Sequence, residues 1–333
     1  MIELLIQIIL LVVGFAILIK GSDIFVSGSS NIATILKIPT LVVGLTIVAF
    51  GTSAPEAAVS ISASIQGSNA LAVSNIVGSN IFNILGIIGI CALLKELKLG
   101  ENVLDKDIPF LLIVTLLVVG FILLSWNITR IEGIILLLLI IGYTAHLVYT
   151  SKKSKGADFV EKPKFGLPKS IVYVIIGLVA IILGAQLVVN SSSYIAMACG
   201  MSETLVGLTI VAIGTSLPEL VTSLTALKRD ENQLVIGNVI GSNIFNILFV
   251  LGLSSAITPI SVSSNMIIDL GLMIFVTILC FIFGKTHNKF DRKEGIILLG
   301  LFILYIYFRG NLHEIPSMKI YHFFMARNYR VRG

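Results

Sequence analysis

The segment Val43 to Leu85 recurs without a gap 163 positions later as Val206 to Leu248, with 25 identities in 43 positions. The densest blocks are GTSAPE at Gly51–Glu56 against GTSLPE at Gly214–Glu219, and GSNIFNIL, unchanged at Gly78–Leu85 and Gly241–Leu248. Similarity extends outward at the same offset, where GSDIFVSGSSNIA from Gly21 aligns with GAQLVVNSSSYIA from Gly184. IEGIILL at Ile131 resembles KEGIILL at Lys293, one residue out of step. The chain must therefore fold as two related units, and any site built from the repeated blocks occurs twice.

Apolar residues make up 56% of the 333, charged residues 12%, and the mean hydropathy is +1.02. A soluble domain carries roughly 25% charged residues, so this chain is an integral membrane protein. Its net charge of +5 belongs to membrane loops and calls for no nucleic-acid partner. A spanning helix needs about 20 mostly apolar residues. That criterion predicts ten spans, near 3–20, 40–64, 70–94, 108–126, 131–150, 170–190, 203–227, 232–256, 266–284 and 294–309. The runs are too long for barrel strands and lack their alternation. The start lacks a basic n-region and a clear cleavage site, so it reads as a retained first span.

Ser151 to Lys169 carries six lysines and two prolines. This Lys-rich cytoplasmic linker, 151–169, separates a first half, 1–150, from a second, 170–310, and 311–333 forms a basic tail. With the N-terminus outside, cytoplasmic loops hold 17 Lys/Arg and the outer loops and tail six, five of them from Arg309 onward. The positive-inside rule thus places both termini outside, despite the basic tail. Equivalent positions lie five spans apart, an odd number, so the halves run in opposite directions. The predicted fold is an all-α membrane protein of ten transmembrane helices arranged as two inverted five-helix repeats.

Two carboxylates lie well inside predicted spans, Glu56 and Glu219. Asp23, Glu132, Asp269 and Glu294 fall near span ends and read as interfacial and solvated. A charge at bilayer centre costs about 2.5–3.5 kcal/mol on insertion scales, and no Lys or Arg lies at comparable depth, so a cation from solution is the expected partner. Pro55 and Pro218 break their spans, leaving carbonyls around Ala49–Thr52 and Ala212–Thr215 in need of donors or ions. Thr52, Ser53, Thr215 and Ser216 add hydroxyls beside the glutamates, Ser79 and Ser242 add two more, and Asn83 and Asn246 add amides. Oxygen donors without His or Cys suit calcium or sodium.

Each feature alone has a plainer explanation. A Gly/Ser face usually serves close packing, and a lone buried Glu is often a proton relay or a structural group. Two copies that each join Glu, a Pro break and oxygen side chains at matching points of two halves favour a transport site. Cys91, Cys199 and Cys280 read as packing residues, the four histidines have no assigned role, and Trp126 reads as an interfacial anchor. No nucleophile–base pair, GxGD or HExxH motif points to an enzyme, and no resident cofactor is expected. A cation channel fits the duplicated carboxylate site less well.

The GTSxPE and GSNxxN motifs of both halves resemble the sodium/calcium exchanger branch of the calcium/cation antiporter superfamily. The proton/calcium branch typically has GNxxE at the first of these. The resemblance marks about 40–94 and 203–256 as the two alpha-repeats. It implies calcium between Glu56 and Glu219 with help from Thr52 and Thr215, and sodium at the Ala49 and Ala212 carbonyls, Ser53, Ser216, Ser79 and Ser242. Related microbial and potassium-dependent exchangers often have Asp where this chain has Asn246. Asn at both Asn83 and Asn246 looks more like the potassium-independent animal exchangers. Ser74 stands where the second repeat has Gly237, the usual family residue, and stiffens span three slightly without touching the site assignment. No large insertion separates the halves, so the animal exchangers' calcium-sensing domains have no counterpart there.

The expectation is an antiporter of the cell membrane that extrudes calcium on inward sodium flux by alternating access, with spans one and six as the moving gate. Proton/calcium exchange by the same glutamates is the alternative. The expected partners are calcium, sodium and the lipid bilayer, with no nucleic acid and no obligatory protein.

Overall fold

A backbone in hydrocarbon must satisfy its own polar groups, and apolar runs of this length do so as helices. The computed structural model describes residues 2–153, 162–200, 212–263 and 266–312. Its long helices are α1 (Ile2–Leu36), a bent pair α2 (Thr40–Thr52) and α3 (Ala54–Ile65), α4 (Leu71–Leu94), α5 (Val103–Ser125) and α6 (Arg130–Lys153). The second half has α7 (Leu167–Ala198), a short α8 (Ala212–Gly214), α9 (Leu217–Lys228), α10 (Asn232–Ile257), α11 (Ile267–His287) and α12 (Arg292–Leu312). Among the described residues, strands are confined to four two-residue pieces, β1 (Leu97–Lys98), β2 (Asn127–Ile128), β3 (Ile260–Ser261) and β4 (Lys289–Phe290).

Among the described residues, seven helices are long and apolar enough to cross a membrane, or eight if α2 and α3, bent by 49°, form one broken span. The sequence predicted ten. The predicted span 203–227 falls partly outside the described residues, which hold only α8 and α9 of it. The predicted span 294–309 lies within α12. The chain is thus an all-α, multi-pass membrane protein.

Helix α10 and helix α4 form the centre. Their most apolar windows are 94% and 83% buried, against 11% for α1 and 22% for α6. The outer helices present Ile8, Val12, Ile131 and Ile141 outward, as lipid contact requires.

The first predicted span, 3–20, lies within a longer helix. Helix α1 runs on to Leu36, about 52 Å at about 1.5 Å per residue, well beyond a hydrocarbon core of about 30 Å. Gly21 to Asn31 looks like a loop by composition, yet its small and polar residues have tertiary partners. Gly14 meets Leu187 and Val188, Gly21 meets Ala180 and Ile181, and Gly28 meets Tyr173 and Val174. Rising numbers on α1 match falling numbers on α7, so the two helices are antiparallel. A Cβ on Gly21 would lie 2.7 Å from the Ala180 Cβ, and one on Gly184 2.6 Å from the Leu18 nitrogen. Asn31 Nδ2 donates to the Phe165 carbonyl at 2.7 Å and to Ser170 Oγ at 2.8 Å.

Contacts recur in reciprocal pairs. Asn80 Nδ2 donates to the Asn243 carbonyl at 3.4 Å and Asn243 Nδ2 to the Asn80 carbonyl at 3.3 Å. Strand β1 pairs antiparallel with β4, and β2 with β3. Tyr143 donates to Asp107 at 3.0 Å and Tyr305 to Asp269 at 3.2 Å. The EG motifs are helix starts. Glu132 accepts from the Thr129 N–H at 2.7 Å and Glu294 from the Asp291 N–H at 2.8 Å, one capping box at the head of each helix.

Three expectations need correction. Asp269 is buried rather than solvated, because Tyr305 and Arg309 of α12 reach it across the fold. Glu294 is buried as well, its carboxylate turned back onto the Asp291 N–H in the capping box. Cys91 and Cys280 are buried, but Cys199 is exposed where α7 ends.

Candidate cation-binding site

Helices α3 and α9 each begin just after the break, with Ser53 and Ser216 as the residues before them. Pro55 and Pro218 therefore stand in the first turn of a new helix, where a missing N–H is harmless, rather than inside a continuous one. Glu56 and Glu219 occupy the same first turns, at the positive ends of the helix dipoles. Both are fully buried.

The halves then exchange donors. Ser216 Oγ donates to Glu56 Oε1 and Ser53 Oγ to Glu219 Oε1, each at 2.8 Å. Ser79 and Ser242 make longer contacts to the same oxygens, at 3.4 and 3.5 Å. Ser216 also lies 3.1 Å from Ser79, and Thr52 lies 3.5 Å from Ser242.

Asn83 and Asn246 each open a π-helical turn, Asn83–Ile88 and Asn246–Leu251, a local widening that recurs at functional sites. Their amide nitrogens donate to Asn243 Oδ1 at 2.9 Å and Asn80 Oδ1 at 3.2 Å. Glu56 Oε2, Glu219 Oε2, Asn83 Oδ1 and Asn246 Oδ1 are buried and have no hydrogen-bond partner among the described residues. All four are acceptors, and each orphan costs about 1–3 kcal/mol unless something satisfies it. A cation suits such a set and a hydrogen-bond donor is not supplied. No cluster of three or more His, Cys, Asp or Glu occurs among the described residues, so two carboxylates plus neutral oxygens define the chemistry.

The remaining predicted residues fall around this core. The Ala49 carbonyl accepts the Ser53 N–H at 3.0 Å and lies 3.5 Å from the Thr52 hydroxyl. In the other copy the Ser216 N–H reaches the Ile213 carbonyl at 3.1 Å. Thr52 is buried and its hydroxyl lies 3.0 Å from Asn238 Oδ1 and 3.1 Å from the Val48 carbonyl. Half-buried Thr215 donates to Asn75 Oδ1 at 3.3 Å. Sequence reasoning passed over Asn75, Asn238, Asn80 and Asn243, although all four are identical between the repeats. An apolar cavity of about 900 Å³ lined by Phe50, Ile141, Phe245 and Phe249 lies nearby. No carboxylate lines it, so it does not hold the cation chemistry.

The family model described as sodium/calcium exchanger protein matches residues 6–149 and 169–310. The chain is 39% identical over 317 residues to the putative antiporter CaxA of Alkalimonas amylolytica, covering 91% of this chain and 98% of that protein. It is 32% identical over 341 residues to the sodium/calcium exchanger MaX1 of Methanosarcina acetivorans, covering 90% and 97%. A solved structure of the sodium-calcium exchanger NCX_Mj superposes with a TM-score of 0.81 at 32% identity, covering 92% of this chain and 99% of that one. These matches span both repeats and the helices around them, which makes the chain a multi-pass membrane cation antiporter and a member of the sodium/calcium exchanger protein family.

Proposed function

We propose that this protein exchanges sodium for calcium across the cell membrane, with calcium held between Glu56 and Glu219. The observation that carries the reading is the reciprocal exchange of serine donors onto the two buried carboxylates, each left with one unpartnered oxygen. Two negative charges balance one calcium, while the surrounding hydroxyls, amides and carbonyls suit several sodium ions. One pair of carboxylates cannot serve both sets well, and that competition enforces exchange.

The architecture we propose is ten spans in two inverted halves, 1–150 and 170–310. The antiparallel pairing of α1 with α7 and the reciprocal contacts support it. Spans one and six, α1 and α7, form the moving unit, since they pack on each other through glycine along their length. Loop lysines and arginines favour both termini outside.

The deciding experiment is calcium uptake into proteoliposomes, driven separately by sodium and by proton gradients. Uptake into sodium-loaded vesicles should collapse when choline replaces internal sodium at constant pH. Uptake that persists and follows an imposed pH gradient would assign proton/calcium exchange instead. A calcium current needing no counter-gradient would indicate a channel.

A further inference from the structure

Two asparagines outside the predicted ligand set make the same three-way connection. Asn75 Nδ2 donates to the Glu56 carbonyl at 3.3 Å and to Ser60 Oγ at 2.9 Å, while its Oδ1 accepts from Thr215 Oγ1 at 3.3 Å. Asn238 Nδ2 donates to the Glu219 carbonyl at 3.1 Å and to Ser223 Oγ at 2.9 Å, while its Oδ1 accepts from Thr52 Oγ1 at 3.0 Å. The amide orientation is dictated by chemistry. A backbone carbonyl only accepts, so the amide nitrogen must face it and the amide oxygen must face the threonine. Each asparagine thus ties the backbone of one repeat's glutamate to a hydroxyl of the other repeat.

We infer that Asn75 and Asn238 are positioning residues that turn the hydroxyls of Thr215 and Thr52 so that their lone pairs face the transported cations. A hydroxyl has one proton and two lone pairs, and it binds a cation well only when the proton points elsewhere. The amide oxygen, held by two donor bonds at the other end of the same group, gives that proton a fixed target. For Thr52 the Val48 carbonyl at 3.1 Å and the Ala49 carbonyl at 3.5 Å are further acceptors, both on its own helix. The Asn238 bond is the one that makes the hydroxyl's direction depend on the opposite glutamate's helix. Neutral hydroxyls matter more to sodium, which lacks calcium's double attraction to the carboxylates, so the struts tune sodium use first. That last step rests on the exchange reading proposed above.

The test is a double-mutant cycle in proteoliposomes with Asn75→Ala, Thr215→Val and the pair, measuring the sodium concentration that half-activates calcium uptake and the calcium KM. Asn75→Ala should raise the half-activating sodium concentration about fivefold, the equivalent of one hydrogen bond, with a smaller change in maximal rate. The double variant should be no worse than Thr215→Val alone, because the asparagine acts through that hydroxyl. Additive effects, or a fall in maximal rate with both concentrations unchanged, would overturn the inference. If the parent does not respond to sodium, the exchange reading fails. The calcium KM values of the same cycle then decide the strut by the same additivity criterion. Should Asn75→Ala not accumulate, Asn75→Asp keeps the accepting oxygen, and in that background Thr215→Val must retain its full effect. Loss of that effect would overturn the inference as well.

Discussion

Ser53 and Glu219 lie 166 positions apart in the chain and meet at 2.8 Å, Oγ to Oε1. The bond crosses from one repeat to the other, and its mate from Ser216 to Glu56 crosses back. Neither carboxylate is held within its own half alone, so ligand geometry on each side depends on the position of the other. Such reciprocity makes a shared site the natural unit of function.

Glu56→Gln and Glu219→Gln should each abolish calcium uptake, because each removes half of the charge facing the divalent ion. The variants should still insert and remain monodisperse in detergent, since neutralising a buried carboxylate removes an insertion cost. Calcium flux close to the parent's in either variant would refute the assignment.

Ser53→Ala and Ser216→Ala should weaken calcium binding by similar factors, on the order of tenfold, the scale of a hydrogen bond to a charged group. The equality follows from the matched 2.8 Å contacts. Isothermal titration of purified protein checks it. A strong effect at one serine and none at the other would mean that the two halves do not share the ion evenly.

Gly237→Ser should destabilise the protein by about 1–3 kcal/mol, the usual range for overpacking. A Cβ there would stand 2.6 Å from the Leu41 carbonyl oxygen, a backbone atom that cannot step aside. At the equivalent position the first repeat already carries Ser74, whose hydroxyl lies 3.4 Å from Met266 Sδ, so Ser74→Gly should be tolerated. Thermal unfolding in detergent distinguishes the two, and equal melting temperatures would contradict the packing argument.

Calcium transport should weaken as the pH falls, because a protonated carboxyl no longer balances the cation. Asn246→Asp adds a third group that takes up protons beside the same ions, so inhibition should begin at higher pH than in the parent. Calcium affinity should be altered but not lost. Overlapping pH profiles for parent and variant would place Asn246 outside the site.

The sequence alone determined the membrane setting, the duplication and the oxygen chemistry of the site. Long apolar runs leave a backbone no alternative to helices, and a repeat at fixed offset forces any site residue to appear twice. Glu56 and Glu219 stood out because a deep carboxylate is expensive in hydrocarbon wherever the fold puts it. Helix lengths were less legible. Gly21 to Asn31 looks like a loop until α7 and Phe165 supply partners for its small and polar residues. Asp269 likewise looks solvated until Arg309 and Tyr305 arrive from another helix. Which serine serves which glutamate, and that Asn75 and Asn238 bridge glutamate to threonine, was decided only in three dimensions. Those contacts join residues more than a hundred positions apart or link three helices at once, and no local period or spacing encodes which of several buried hydroxyls an oxygen will meet.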